Sequence, residues 1–223
     1  MERGATPYFD PPRLLFAPAP GRFLDQDIAT HEATMALNYF GALRAARAVL
    51  PGMARRRSGT VVFVASAAAV CGFAGFSTYA PSKYALRGLA DCLRNELLGT
   101  GVRVAVAYPP DTDTPGYARE QATKPPACHA ASRAAGDVLY GADAVAKRIV
   151  RDLARPRCYH LGSPDFGQNL LVAATAGLSP HPLHPVLEFL LAPFLAVAMR
   201  VFGGVVDRAA RRANEEARRE GAA

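Results

Sequence analysis

The chain of 223 residues contains no tryptophan, three lysines and four cysteines. Cys71, Cys92, Cys128 and Cys158 are far apart and make no C-x-x-C pair. That argues against a zinc ribbon or a disulfide framework and for free thiols in a reducing compartment. His181 and His184 form H-x-x-H in a proline-rich stretch, where a loop is expected and a metal site is not. The first residues hold no signal-type hydrophobic segment, and no N-x-S/T sequon occurs. Uninterrupted apolar runs long enough to cross a bilayer are also missing. Val186–Val206 comes nearest, but it carries Glu188, Pro193 and Arg200.

Charge is one-sided. Lys and Arg total 26 against 19 Asp and Glu, a formal net charge of +7, and nearly all of the positive charge is arginine. No nucleic-acid motif and no basic patch interleaved with aromatics accompanies it, so nucleic acid is not expected as a partner. The excess reads as compositional bias, helped by attraction to an anionic membrane or a phosphorylated cofactor.

What is present is organised around Ser66–Lys83. Thr60–Ser66 (T-V-V-F-V-A-S) is short, β-branched and nearly all apolar, which predicts a buried strand ending at Ser66. A glycine-bearing loop follows, and Tyr79 opens a helix that runs to about Leu98, with Leu86, Leu89, Leu93 and Leu97 on its core face. Tyr79 and Lys83 are four apart and share one helical face. A hydroxyl, a phenol and an ammonium can therefore converge, a grouping suited to passing a proton to a carbonyl oxygen. A free tyrosine titrates near ~10, and the expectation is that Lys83 lowers that value in Tyr79. Ser66 would hydrogen-bond the same oxygen. Without that context, Y-x-x-x-K is no more than a solvated helix face.

The rest of the chain reads as follows. Residues 1–20 hold five prolines and are expected to form an irregular arm. Asp27–Arg57 has a helical pattern, with Leu37, Phe40, Leu43, Ala46 and Leu50 on one side. Val102–Tyr108 is a second buried strand, stopped by Pro109-Pro110, with a turn at Asp111–Gly116. Taken alone, that turn is a helix cap or a plain turn. Ala118–Gly136, alanine-rich with Pro125-Pro126, reads as a mobile flap. Asp143–Arg155 is an amphipathic helix with Val145, Ile149 and Leu153 inward, and Cys158–Leu161 is a last strand. Leu170–Leu178 and Val186–Val206 are apolar, and Asp207–Glu220 is a charged helix. These patterns predict an α/β fold with a Rossmann-like parallel sheet and helices on both faces.

Ser66 stands thirteen residues before Y-A-P-S-K (Tyr79–Lys83), and this spacing resembles the active-site signature of the short-chain dehydrogenase/reductases. Phe73–Ala90 and V-A-V-A-Y-P-P-D-T-D-T-P-G (Val104–Gly116) are similar to the sphingolipid branch of that family, the reductases of 3-ketodihydrosphingosine. The resemblance starts near Gly21. It implies that Asn38, Ser66, Tyr79 and Lys83 are catalytic, and that Tyr79, Lys83, Pro109, Thr112 and Thr114 bind the cofactor. Asn38 would hold a water linking the lysine to solvent; read without the family, it is a polar residue on a helix. The cofactor implied is NADPH, with NADH left open.

The implied activity is reduction of a long-chain keto-amine lipid to dihydrosphingosine. A homodimer and a place on the cytosolic face of the endoplasmic reticulum membrane go with it. Family members begin with a strand and a glycine-rich turn that cradles a dinucleotide pyrophosphate. No G-x-x-x-G-x-G occurs in this sequence. The fold expected is therefore an N-terminally truncated one. Residues 21–165 would form the C-terminal part of the dehydrogenase domain, and 166–223 a hydrophobic, membrane-associating helical tail that spans the bilayer or lies in its interface. The competing expectation is a catalytically incompetent chain that serves as a membrane-bound dimer partner, or a truncated gene model.

Overall fold

The computed structural model describes residues 20–134, 136, 138–155, 158–175 and 185–221. All but the last residue of the arm expected at 1–20, the H-x-x-H pair and the end of Leu170–Leu178 lie outside the described residues.

Two parallel strands form the centre. β1 (Gly59–Val64) pairs in register with β2 (Val102–Ala107), from Gly59 opposite Val102 to Val64 opposite Ala107. Gly101 makes the entry to β2 feasible: its φ is +84°, and a Cβ there would meet the backbone of Arg57. The next elements are β3 (Thr112–Asp113), β4 (Tyr140–Gly141) and β5 (His160–Leu161). The sheet order is β1-β2-β5, and β3 and β4 make a separate parallel pair. Among the described residues β1 is an edge strand.

The alternation along β1 and β2 assigns side chains to opposite faces. Val61, Phe63, Ala65, Val104, Val106 and Tyr108 pack on one side. There α2 (Gly41–Arg55), α3 (Tyr79–Glu96) and α7 (Phe166–Thr175) cover them, through residues such as Ala46, Leu86, Ala90 and Leu171. Val62, Ala105, Ala107 and Leu161 pack on the other side under Ile149 and Leu153 of α6 (Ala142–Leu153). Helices thus lie on both faces, as expected.

Three local readings change. α1 (Ile28–Met35) is capped by Asp27, whose carboxylate accepts Thr30 N–H at 2.8 Å. It does not run straight into α2, because Ala36–Phe40 forms a π-helical turn. The wider turn shifts the helical phase, so Leu37 and Phe40, expected inward, are 40 % and 42 % exposed. The stretch read as a flap is two helices, α4 (Pro115–Thr123) and α5 (Pro126–Ala134). Proline begins each of them, where its missing N–H costs nothing. Finally, Val186–Val206 and Asp207–Glu220 belong to one helix, α8 (Pro185–Gly221), which packs on α5 and α7. Among the described residues no helix is long and apolar enough to cross a membrane, so the spanning form of the tail is not met.

Candidate active site

The C-terminal ends of β1 and β2 open into a cavity of about 850 Å³. Parallel strands leave their ends facing such a crevice, where ligands bind in open α/β sheets. Ser66, two residues past β1, lies in the cavity wall, and its Oγ caps the short 3-10 turn Ala67–Ala69 by accepting Ala68 N–H at 3.2 Å. The first turn of α3 brings Tyr79 and Lys83 to the same wall.

The three side chains meet. Tyr79 shares a side-chain hydrogen bond with Ser66. The Lys83 ammonium stands 5.4 Å from the centre of the Tyr79 ring and donates to the Val64 carbonyl at 3.1 Å. Electrostatics correct one expectation. The Tyr79 phenol is not lowered; burial pushes it up to about 12, the Asp111 and Glu120 carboxylates add to the rise, and the Ser66 hydrogen bond opposes it. Burial lowers Lys83 to about 8. Desolvation dominates and Lys83 is not among the groups that shift the phenol, so Tyr79 keeps its proton at neutral pH.

Asn38 sits on the π-helical turn, behind this wall. Its Nδ2 donates to Ser82 Oγ at 3.0 Å, and Ser82 Oγ donates to the Tyr79 carbonyl at 2.7 Å. Asn38 therefore connects to the backbone of the tyrosine helix through Ser82. Pro109, Thr112 and Thr114 all line the cavity. Thr114 is also the N-cap of α4, accepting Tyr117 N–H at 3.1 Å, so the cap reading and the cavity reading both hold. Its hydroxyl hydrogen stays available to a ligand, whereas Thr112 donates its own to Pro110 O at 2.7 Å.

The sequence reading missed Asp111, Tyr117, Glu120 and Lys124, which line the same cavity. Tyr117, Glu120 and Lys124 are spaced three and four apart, which is one face of a helix. That signal goes unread once the segment is taken for a flap. Among the described residues no group of acidic, histidine and cysteine side chains is arranged to hold a metal ion.

A short chain dehydrogenase family profile matches residues 17–125. This stretch is similar to the short chain dehydrogenases. The chain is 41 % identical over 161 residues to a 3-ketodihydrosphingosine reductase of Bos taurus, covering 72 % of this chain and 47 % of that protein. It is 42 % identical over 176 residues to a 3-ketodihydrosphingosine reductase of Dictyostelium discoideum, covering 78 % and 51 %. The chain thus spans about half the length of the curated relatives it matches. A short-chain dehydrogenase from Sphingobium yanoikuyae in complex with NADPH superposes with a TM-score of 0.55 at 23 % identity, covering 66 % of this chain and 53 % of that one. That likeness speaks for the fold. The matched stretch holds Ser66, Tyr79 and Lys83 and also Asp111, Tyr117, Glu120 and Lys124 of the cavity lining.

Proposed function

We propose that this chain carries the proton-transfer half of an NADPH-dependent reductase that converts 3-ketodihydrosphingosine to dihydrosphingosine. The carrying observation is the Ser66–Tyr79 hydrogen bond beside Lys83, on the wall of a cavity at the strand ends. The substrate for which the Bos taurus and Dictyostelium discoideum relatives are named supplies the substrate class. The Tyr79 hydroxyl donates its proton to the carbonyl oxygen, and Ser66 hydrogen-bonds that oxygen as negative charge develops. The phenolate left behind faces the Lys83 ammonium, whose lowered value of about 8 suits it to return a proton near neutral pH.

The residues present fit the nicotinamide end of a dinucleotide. Lys83 and Tyr79 would hold ribose hydroxyls, and Pro109, Thr112 and Thr114 the carboxamide side. The bound cofactor supplies the hydride to the carbonyl carbon. Choice of NADPH draws support from the Sphingobium yanoikuyae neighbour, which binds it.

Tyr79→Phe tests the reading. Reduction of 3-ketodihydrosphingosine should fall by roughly 10²–10⁴-fold with the melting temperature unchanged. Turnover at the wild-type rate by the phenylalanine variant rejects it.

The same reading places the protein on the cytosolic face of the endoplasmic reticulum membrane, beside its lipid substrate. Phe194, Val197 and Val201 make an exposed apolar stripe on α8, suited to the membrane interface. Leu37, Phe40 and Val49, exposed along α1–α2, together with Tyr84 on α3, suit a homodimer contact. Vesicle flotation and light scattering check the two points.

A further inference from the structure

Lys124 is a buried titratable group that proton transfer by Tyr79 does not use. Its side chain is 1 % exposed and lines the cavity. We propose that Lys124 is a positioning residue, pinning the junction of α4 and α5 to the Phe76 turn that precedes the tyrosine helix, so that two separate stretches of the cavity lining hold one shape around the substrate. This rests on the reductase reading of the same cavity.

The backbone comes first. Lys124 is followed by Pro125, whose ring disfavours the helical region for the residue before it. Lys124 accordingly ends α4 in an extended conformation, with φ −67° and ψ 125°. Its side chain turns inward, and Nζ sits 3.5 Å from Glu120 Oε1. Nζ lies 5.8 Å from the ring centre of Tyr117, on the same helix, and 5.5 Å from that of Phe76, which is not. A carboxylate and two ring faces replace the water that an ammonium loses on burial.

The Phe76 turn is bound to the tyrosine helix. Phe76 O accepts Tyr79 N–H at 3.1 Å and Ala80 N–H at 2.8 Å, and the ring centres of Phe76 and Tyr79 are 6.1 Å apart. Gly75 makes a second contact with the junction. Its φ is +85°, and a Cβ there would stand 2.9 Å from Cβ and Sγ of Cys128 in α5. Cys128 itself is 1 % exposed. Lys124 and Cys128 thus meet neighbouring residues of one turn, from either side of Pro125-Pro126. Phe73, Phe76 and Tyr79 line the cavity on one side of this contact, and Tyr117 and Glu120 on the other. Lys124 reaches from one set to the other.

The proton-transfer group does not depend on it. The Ser66–Tyr79 hydrogen bond and the Lys83 bond to Val64 O hold those three side chains together. Loss of the Lys124 contact should therefore loosen substrate binding more than it slows proton transfer.

The test reads the contact on the full chain through a thiol and through kinetics. Lys124→Met combined with Glu120→Gln removes both members of the buried pair and strands neither, a change that often leaves stability intact. N-Ethylmaleimide labelling of Cys128, followed by mass spectrometry of its peptide, should run about tenfold faster in this double variant than in wild type, while the exposed Cys92 labels at a constant rate. Glu120→Gln alone keeps an oxygen for Nζ and should leave Cys128 protected. Phe76→Leu should speed labelling as the double variant does, and joining all three changes should add little, because they remove the same contact. In ketone reduction, adding Lys124→Met to Glu120→Gln should raise KM about tenfold with kcat within about twofold. A loss of folded protein would instead lower the apparent kcat and leave KM alone. Protected Cys128 in the double variant, labelling effects that multiply, or an unchanged KM overturns the proposal. Faster labelling in a chain that reduces no ketone upholds the pinning and rejects the reductase; reduction with Cys128 still protected in the double variant does the reverse.

Discussion

Phe63 and Val64 are neighbours on β1 and meet opposite surroundings: Phe63 is 3 % exposed and Val64 is 55 % exposed. Phe63 points into the face closed by α2, α3 and α7, and Val64 into the face that α6 covers only farther along the sheet. The closed face seats the helix that carries Tyr79. Leu86 and Ala90 anchor α3 against the sheet, 2 % and 0 % exposed, one and two turns beyond the lysine. Among the described residues no strand pairs with the outer edge of β1, and Val64 at its end is left exposed. An uncovered edge strand is a pairing hazard, and Lys83 donates to the carbonyl of its last residue. One face holds the helix of Tyr79 and Lys83 in place, and the other leaves the end of β1 to line the cavity.

The largest break in this comparison is Phe63→Ala. It should cost about 3–5 kcal/mol, read as a shift in the denaturant midpoint. Val64→Ala one residue on should cost well under half of that; similar costs would mean both faces are equally packed.

Ser82→Ala comes next. Ser82 is 0 % exposed and joins Asn38 to the Tyr79 carbonyl. Its loss leaves Asn38 Nδ2 without this acceptor and should cost about 1–2 kcal/mol. Ketone turnover should fall further than stability alone explains, with partial recovery in Ser82→Thr.

Lys83→Met should go the other way and stabilise by roughly 1 kcal/mol, because it removes a charge that burial disfavours. The folded value of about 8 lies below the ordinary 10.5. The unfolded chain therefore binds more protons between those two values, and wild-type stability rises with pH across that window. The stability gap between Lys83→Met and wild type is full below about pH 8 and closes as pH rises toward 10.5. Thermal melts of the two proteins from pH 7 upward measure it. A gap that widens with pH contradicts the burial of Lys83.

The smallest effect is expected of Val64→Thr, within about 0.5 kcal/mol of wild type. A larger loss would show that something covers the open face in solution.

Much of the site was legible in the chain. Thr60–Ser66 needed only its β-branched run, and the four-residue step from Tyr79 to Lys83 needed only helical geometry. The π-helical turn at Asn38 was not legible, because nothing in A-L-N-Y-F separates it from an α-helix. The pair α4–α5 was hidden by Pro125-Pro126: a proline that starts a helix and one that breaks a loop look alike in one dimension. With those helices went Glu120 and Lys124.

Residue order by itself determined which groups stand near one another along an element: the serine closing a strand, the phenol and amine one turn apart, the apolar stripe of Leu86, Leu89, Leu93 and Leu97. Local geometry sets these, and it is the same in any fold. The acid strength of Tyr79 was decided by tertiary structure. The sequence places a lysine beside it, yet packing buries the phenol and brings two carboxylates from beyond β2 toward it. Desolvation and charge depend on every element that surrounds a group, and only the folded chain brings those elements together.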